Sequence, residues 1–470
     1  MKQWKLRRVA ACIFSIGSLA LAAPMEAAPS VYPTGTTIYD PEQADSGYTV
    51  LSILGTRAVI VIDMNGREVK RWDDFNVSAG GPARILPGGI VMASDGSFPG
   101  HLETTALIAR DFDGTELWRF DRAEEITIRT TEGEGEDEVA TERTQWSARQ
   151  HHDWQLSSFP AGYYSPAFTP SLDGARTLVL AHANTSDEAI ADVVLEDDRI
   201  YELDESGVIV WDWRASDHID ELGFNVAERN AIRRGGTRDN FDWFHINSAT
   251  YLGPNKWYDA GDERFHPDNV IISSRQTSII AIIARDGSIV WQLGPDYADS
   301  LAEMAIGQIV GQHHAHFIPE GLPGAGNLLV FDNGGSGGYG DPNALSPNGQ
   351  TEYRRHNSRI LEIDPVTLEV VWSYQAGNFF SFNISGAQRL ENGNTLITEG
   401  APGRVFEVTS EGDIVWEYQN APGGSGAFAS PAVYRAYRLP YDWIPQLPVP
   451  EEVALAAPDL SSFHVPGSVQ

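Results

Sequence analysis

Short runs of apolar and β-branched residues recur along the chain, with polar turn residues between them. Alternating runs of this length that end at Gly, Asn, Asp or Pro predict β-strands. Several runs end in a tryptophan, and four of these tryptophans lie in the same local pattern, Gly-x-x-x-Trp, as in Gly114 to Trp118 and Gly287 to Trp291. The six tryptophans that end such runs are Trp72, Trp118, Trp211, Trp291, Trp372 and Trp416.

The tryptophan repeat predicts an all-β fold. Three or four short strands lead to each tryptophan, and a unit of that size must stack on its neighbours to bury its faces. Six such units over residues 49–440 predict a six-bladed β-propeller. Residues 432–439 are expected to form a closing strand that completes the first blade and removes exposed sheet edges. Residues 29–48 are interpreted as an N-terminal extension and residues 441–470 as a C-terminal tail.

Long segments between the blades are expected to cover one mouth of the central channel. Residues 124–149 are acidic and glycine-rich, which predicts a mobile surface loop. Residues 212–240 have a partly helical pattern, and residues 333–348 are rich in Gly and Asn. Long loops carry function more often than short ones do, so the covered mouth is the expected position of a site.

The first 28 residues have the features of a signal peptide. An apolar stretch over residues 9–23, too short to span a bilayer comfortably, follows a basic start and precedes small residues. We therefore expect a periplasmic or secreted protein that is not in a membrane after cleavage. Cys12 is the only cysteine, so the exported protein would have no disulfide. The net charge of -32 argues against nucleic acid as a partner, because phosphate contacts need clustered Lys and Arg.

Six of the twelve histidines fall in three short segments that each precede the first strand of a predicted blade. Because the innermost strands of a propeller all begin at one end of the channel, we expect these histidines to meet at one mouth. Arg275 ends the next strand of the fourth blade and could face the same way. The segments are His151-His152-Asp153-Trp154, Asp242-Trp243-Phe244-His245-Ile246-Asn247-Ser248 and Gln312-His313-His314-Ala315-His316.

Imidazoles beside a guanidinium, with no obvious carboxylate pair, suit the transfer of an anionic group. One imidazole can carry the group covalently, while Arg and further histidines hold its oxygens or move a proton. Two other interpretations stay open for these histidines: structural roles in turns or in the core, and a metal site. We predict no metal and no cofactor.

At these segments the chain resembles the bacterial arylsulfate sulfotransferase family. Members of that family are six-bladed propellers that move a sulfuryl group between phenols through a sulfohistidine, without a nucleotide sulfate donor. The resemblance spans residues 150–360, and the tryptophan repeats extend it to about residue 440. The matching elements are the first two histidine segments, Ile272-Ser273-Ser274-Arg275, Gln312-His313-x-Ala315, Phe331-Asp332-Asn333-Gly334 and Ser358-Arg359.

This resemblance implies an aryl sulfate donor, a phenolic acceptor and a role for each matching residue. His313 would be the nucleophile, His245 and Arg275 would bind the sulfuryl oxygens, and His152 would assist as an anion contact or proton donor. The substrate-binding candidates are His151, Asn247 and His314. The sequence leaves open which of His151 and His152, and which of His313 and His314, faces the pocket; His314 and His316 could equally be structural.

The sequence also leaves other functions open. A non-catalytic propeller could bind a protein or glycan with the same loops, since this fold hosts many functions. A metal-dependent hydrolase or lactonase and a quinone-cofactor dehydrogenase, whose propellers are typically eight-bladed, are further alternatives. Only about 20 residues separate the predicted cleavage site from the first blade. They leave no room for the N-terminal β-sandwich with which relatives dimerise, so the oligomeric state stays open.

Overall fold

The computed structural model describes residues 34–78, 80–99, 101–132, 139–235, 241–423 and 430–457. The predicted signal peptide, residues 1–28, lies outside these residues. No helix within the described ranges has both the length and the apolar character needed to cross a membrane.

Six small antiparallel sheets form a six-bladed β-propeller, which confirms the predicted fold. The blades, in ring order and with strands from the axis outward, are as follows. Blade 1 has β28 (Val433–Leu439), β2 (Tyr48–Ile53), β3 (Ala58–Ile62) and β4 (Glu68–Asp73). Blade 2 has β5 (Arg84–Leu86), β6 (Ile90–Asp95), β7 (Ala106–Arg110) and β8 (Glu116–Phe120). Blade 3 has β11 (Gln150–Leu156), β12 (Thr177–Thr185), β13 (Leu195–Leu203) and β14 (Ile209–Arg214), with β15 (Phe241–Asp242) parallel to β13.

The second half of the ring repeats this pattern. Blade 4 has β16 (Ile246–Tyr251), β17 (Val270–Ser274), β18 (Ile279–Ile283) and β19 (Ile289–Leu293). Blade 5 has β20 (His313–Phe317), β21 (Leu328–Asp332), β22 (Arg359–Ile363) and β23 (Val370–Tyr374). Blade 6 has β24 (Gly386–Arg389), β25 (Thr395–Glu399), β26 (Arg404–Val408) and β27 (Ile414–Gln419). The helices between strands are short: α1 (Val226–Arg234), α2 (Lys256–Asp259) and α3 (Leu301–Ile306), with 3-10 turns at Ala215–His218, Glu263–Phe265 and Tyr441–Trp443.

The repeated tryptophans join each blade to the next. All six lie on the fourth strand of a blade, counted from the axis, and the indole N–H of five of them donates to a backbone carbonyl in the outer turn of the following blade. Trp291 donates to the Pro365 carbonyl at 2.8 Å, and Trp416 of the last blade donates to the Met64 carbonyl of the first at 2.8 Å. The repeat therefore reflects a contact that closes the ring.

Both ends of the described chain add to the propeller. The predicted closing strand is present as β28, which pairs with β2. The segment interpreted as an extension contributes β1 (Gly35–Tyr39), a fifth strand on the outer edge of blade 6. No pattern in the sequence indicates β1, and its pairing with β27 shows that the propeller begins before residue 49.

Most of the segment predicted to be a mobile loop, residues 124–149, is strand. β9 (Glu124–Glu132) and β10 (Val139–Ser147) pair with each other along nine positions, while residues 133–138 lie outside the described residues. Ile126 and Ile128 are buried and alternate with exposed residues, which is the period of a strand. This alternation is short and lies in an acidic segment, so the composition favours a loop where the structure has a strand.

The direction of the strands determines which residues lie at the same mouth of the central channel. The innermost strands of all blades begin at one end of the ring, and the second strands, which run antiparallel to them, finish at that same end. The histidines at the starts of β11, β16 and β20 therefore lie at the same mouth as Arg275, which follows β17, and Asn333, which follows β21.

Candidate active site

The histidines enter the innermost strands through an unusual backbone conformation. His152, His245 and His314 have φ of 50°, 57° and 53°, in the left-handed region that non-glycine residues rarely adopt. Each lies at a register shift or at the entry of β11, β16 or β20. Such conformations cost about 1–3 kcal/mol each and concentrate at functional sites.

His152 and His245 come from adjacent blades and face each other. Their ring centroids are 4.7 Å apart and the rings are nearly perpendicular. Asp242 accepts a short hydrogen bond from Nδ1 of His245, which leaves Nε2 of that ring for a ligand. Burial raises the pKa of Asp242, but the charge and hydrogen bond of His245 outweigh it, so the carboxylate stays ionised with a lowered pKa.

His313 is almost fully buried, and each of its ring nitrogens has a defined partner. Nδ1 lies 2.8 Å from Oδ1 of Asn333, and Nε2 accepts the backbone N–H of Ile384 at 3.2 Å. The Asn333 amide is itself oriented, because its Nδ2 donates to the carbonyls of Ser381 and Ile384 at 2.8 and 3.0 Å. This orientation assigns the proton to Nδ1 and the lone pair to Nε2.

Arg275 supplies a cation beside these histidines. Its backbone N–H donates to the His245 carbonyl at 2.9 Å, while its guanidinium forms no hydrogen bond or ion pair with any residue in the described ranges. Burial lowers the pKa of Arg275, and its positive charge in turn helps to lower the pKa of His313. A guanidinium without a carboxylate partner is available to an anionic ligand.

His152 and His313 are held neutral. Burial lowers the pKa of both rings well below 6.5, and for His313 the opposing hydrogen bond to Asn333 does not outweigh it. The positive charge of Arg275 lowers the pKa of His313 further. His313 therefore keeps an unprotonated Nε2 near neutral pH, with the Ile384 N–H as its hydrogen-bond donor.

The three other predicted site residues lie elsewhere. His151 is fully buried behind His152, with the two Nδ1 atoms 2.7 Å apart. Both functional atoms of the Asn247 amide are engaged in the protein: Nδ2 donates to the Gln312 carbonyl at 2.7 Å and Oδ1 accepts the N–H of His314. The ring of His314 stacks on His316 near the axis, at 4.2 Å between centroids. The structure does not bring His314 into contact with His152, His245 or Arg275.

Several residues that hold the site in place were not predicted from the sequence. Asn333 and Asp242 lay within matched elements, but their positions gave no indication that they hold His313 and His245. The hydroxyl of Tyr434 on β28 donates to the His152 carbonyl at 3.1 Å and holds the backbone at this position. Because β28 comes from the far end of the sequence, no local pattern around His152 or Tyr434 indicates this contact.

Comparison with known proteins gives a family and several distant folds. Residues 155–420, more than half of the chain, match the family model described as arylsulfotransferase (ASST). The match includes His245, Arg275 and His313, and begins three residues after His152. No curated protein matches the sequence.

Three solved structures illustrate the distant likeness. A protein of unknown function from Bacteroides caccae has 11% identity and a TM-score of 0.41, over 84% of this chain and 98% of that one. A streptogramin B lyase has 12% identity and a TM-score of 0.34, over 87% and 93%. The Dos1 propeller has 12% identity and a TM-score of 0.33, over 84% and 74%.

Proposed function

The chain belongs to the arylsulfotransferase (ASST) family, and on that basis we propose that it moves a sulfuryl group from an aryl sulfate to a phenol through a covalent intermediate on His313. One observation carries the proposal: a buried, neutral His313 keeps its lone pair on Nε2, beside a guanidinium that has no carboxylate partner. A neutral imidazole is a nucleophile, and an unpaired Arg275 can hold the oxygens of the group it attacks.

In the first step, Nε2 of His313 attacks the sulfur of the aryl sulfate. The N–S bond forms as the bond between sulfur and the aryl oxygen breaks, and the electron pair of that bond leaves with the phenolate. Asn333 is a neutral acceptor that cannot take the Nδ1 proton, so the ring becomes an imidazolium carrying the sulfuryl group. The positive ring keeps the group reactive toward the next acceptor.

Arg275 and His245 would hold the sulfuryl oxygens during this step. Negative charge develops on the leaving aryl oxygen while the sulfuryl oxygens keep theirs, and fixed donors stabilise that distribution without reorganisation. The Asp242 carboxylate keeps Nδ1 of His245 protonated, so the ring remains oriented with Nε2 toward the pocket. Ile384 N–H, which points at Nε2 of His313, becomes free to donate to a sulfuryl oxygen once the lone pair has attacked sulfur.

His152 is the group suited to bind the aryl oxygen. Its ring is neutral, so it can donate a hydrogen bond, but not a proton, to the departing phenolate oxygen and then to the incoming one. In the second step the acceptor reacts as its phenolate: the oxygen attacks sulfur, the O–S bond forms, the N–S bond breaks and its electron pair returns to neutral His313. The two half-reactions use the same groups in reverse, so the order of events is donor in, phenol out, acceptor in, product out. We also propose that this exchange takes place outside the cytoplasm, on the basis of the predicted signal peptide.

The proposal is tested by release of 4-nitrophenol from 4-nitrophenyl sulfate, with and without added phenol. We expect turnover that rises with phenol and parallel lines in double-reciprocal plots. His313→Gln should abolish turnover, whereas His314→Gln, at the neighbouring and equally buried position, should retain it. Turnover by His313→Gln at the wild-type rate would contradict the assignment of the nucleophile.

A further inference from the structure

A second cluster of side chains lies directly behind His152, on three adjacent strands of blade 3. His151 on β11, His182 on β12 and Asp198 on β13 each offer one ligand atom, and these atoms lie within 4.8 Å of one another. All three residues are at most 1% exposed. None of its three residues binds or attacks the sulfuryl group in the proposed transfer.

Each member of the cluster has one buried atom without a hydrogen-bond partner among the described residues. These atoms are Nε2 of His151, Nε2 of His182 and Oδ1 of Asp198. Leaving a buried polar atom unsatisfied costs about 1–3 kcal/mol, so native proteins rarely do so. Nε2 of His151 lies 3.2 Å from Oδ1 of Asp198, which brings a nitrogen and a carboxylate oxygen together at one point.

The remaining polar atom of each member is held by the protein. Nδ1 of His182 lies 3.2 Å from Oε1 of Glu103, Nδ1 of His151 bonds His152, and Oδ2 of Asp198 accepts the Ile246 N–H at 3.0 Å. Histidines that bind metals are typically oriented in this manner, with the second ring nitrogen bonded to a carboxylate or another polar group.

Acidic side chains lie around the cluster. Glu103, Glu196 and Asp242 are close to its members, and Glu103 lies 2.7 Å from Arg149 and 3.2 Å from His182. An ion held by the cluster would therefore lie among carboxylates, whose negative charge attracts a cation.

We propose that His151 Nε2, His182 Nε2 and Asp198 Oδ1 bind a divalent transition-metal ion such as Zn²⁺. Two imidazoles and one carboxylate match the ligands preferred by Zn²⁺, Co²⁺ and similar ions, and are too few in oxygens for Ca²⁺. The spacing of histidines along the sequence gave no sign of this site, because its ligands come from three strands rather than from one motif. The proposal departs from the sequence-based expectation of no metal.

Binding requires the lone pairs of both imidazoles. Metal ions bind deprotonated ligands, so the affinity of the site should rise with pH. The rings of His151 and His182 stack with 3.6 Å between their centroids, and both would bind the ion through Nε2.

An ion at this site would fix the protonation of His152, and this consequence rests on the proposed function. Coordination through Nε2 leaves the proton of His151 on Nδ1, which then donates to Nδ1 of His152. That leaves His152 with its own proton on Nε2, the tautomer that can donate a hydrogen bond to a departing phenolate oxygen. The metal would thus fix the tautomer of His152 without touching substrate.

The test is metal binding by the whole protein, independent of activity. Protein produced with Zn²⁺ in the medium should contain one equivalent of zinc, and metal-stripped protein should take up one Co²⁺ at about pH 8 with visible absorption bands typical of nitrogen coordination. Asp198→Asn, which keeps an acceptor for the Ile246 N–H, should weaken Co²⁺ binding at least about tenfold. His313→Gln should bind Co²⁺ like wild type although it is inactive, which separates this inference from the proposed function.

A neighbouring group provides the matched control. His101, Glu103 and Glu196 also lie close enough for a metal, but His101 and Glu196 are already bonded to each other at 2.5 Å. His101→Gln should therefore keep Co²⁺ binding. Wild-type protein with neither zinc nor Co²⁺ uptake would overturn the proposal whatever the variants do. Loss of binding in His101→Gln but not in Asp198→Asn would overturn it as well.

Discussion

Asn333 Oδ1 lies 2.8 Å from Nδ1 of His313, and this contact decides which nitrogen of the imidazole can act as a nucleophile. The amide cannot rotate to offer its NH₂ group without losing two hydrogen bonds to backbone carbonyls. Nδ1 therefore keeps its proton, and Nε2 keeps the lone pair. Asn333 is a positioning residue, since it acts on the reaction through His313.

Replacing Asn333 with Leu should lower kcat about 10–100-fold, in the range found for residues that orient a functional histidine. The loss should fall on kcat more than on KM, because Asn333 does not touch substrate. Steady-state kinetics with 4-nitrophenyl sulfate measure both. Asn348→Leu, an exposed amide in the segment that follows, is the control and should behave as wild type. A raised KM with unchanged kcat would show that Asn333 acts in another way.

Arg275 should stabilise the transition state of sulfuryl transfer, so its removal should lower kcat/KM. Removing one donor to a developing negative charge costs about 10²–10³ in rate, so Arg275→Ala should lose that much in kcat/KM. Arg275→Lys should recover only part of it, because an ammonium cannot supply two parallel hydrogen bonds. Arg264→Ala, a surface arginine paired with Asp262, is the control for loss of a charge and should have little effect. A wild-type rate in Arg275→Ala would remove this residue from the site.

The rate of the first half-reaction should not fall at mildly acidic pH. Burial holds the pKa of His313 well below 6.5, so the ring stays neutral and nucleophilic as the pH falls through the range in which an exposed histidine takes up a proton. The burst of nitrophenol release in a stopped-flow experiment should therefore be constant down to about pH 6. A burst rate that falls to half near pH 6.5 would mean that His313 titrates as an exposed imidazole does.

Asp153 should matter for stability rather than for chemistry. Its carboxylate lies between Arg84, at 2.7 Å, and Arg435, at 3.1 Å, and all three side chains are at most 1% exposed. It joins the innermost strands of blades 1, 2 and 3 at the axis. Asp153→Asn would leave two buried guanidiniums without their counter-ion and should lower the free energy of unfolding by about 3–5 kcal/mol.

Urea unfolding followed by tryptophan fluorescence measures this loss. Asp341→Asn, at an exposed position of the described chain, is the matched control and should change stability by less than about 0.5 kcal/mol. Equal stability of Asp153→Asn and Asp341→Asn would show that the axial arginines do not depend on this carboxylate.

The sequence predicts the architecture better than the site, for physical reasons. Trp291 and Trp416 recur because each makes the same contact with the next blade, so a local pattern reports a global arrangement. β1 has no such partner in sequence, since it pairs with β27 almost 400 positions away, and only the folded ring reveals it.

Some residues of the site can also be predicted from the sequence and others cannot. Clustered histidines before strands indicate His245 and His313, whereas His182 lies in the middle of a second strand and belongs to no such cluster. Asp198 reaches His151 and His182 from a third strand. Contacts between neighbouring strands depend on register, and a single sequence does not specify register at this precision.

The mass of the protein during turnover tests the proposed covalent intermediate on His313 most directly. Mixing it with an aryl sulfate in the absence of phenol and quenching at alkaline pH should give a species heavier by one SO₃ group, and peptide mapping should locate that group on His313. Added phenol should remove the adduct, and His313→Gln should never form it. An adduct on another residue, or turnover with no adduct in rapidly quenched samples, would contradict the proposed covalent mechanism.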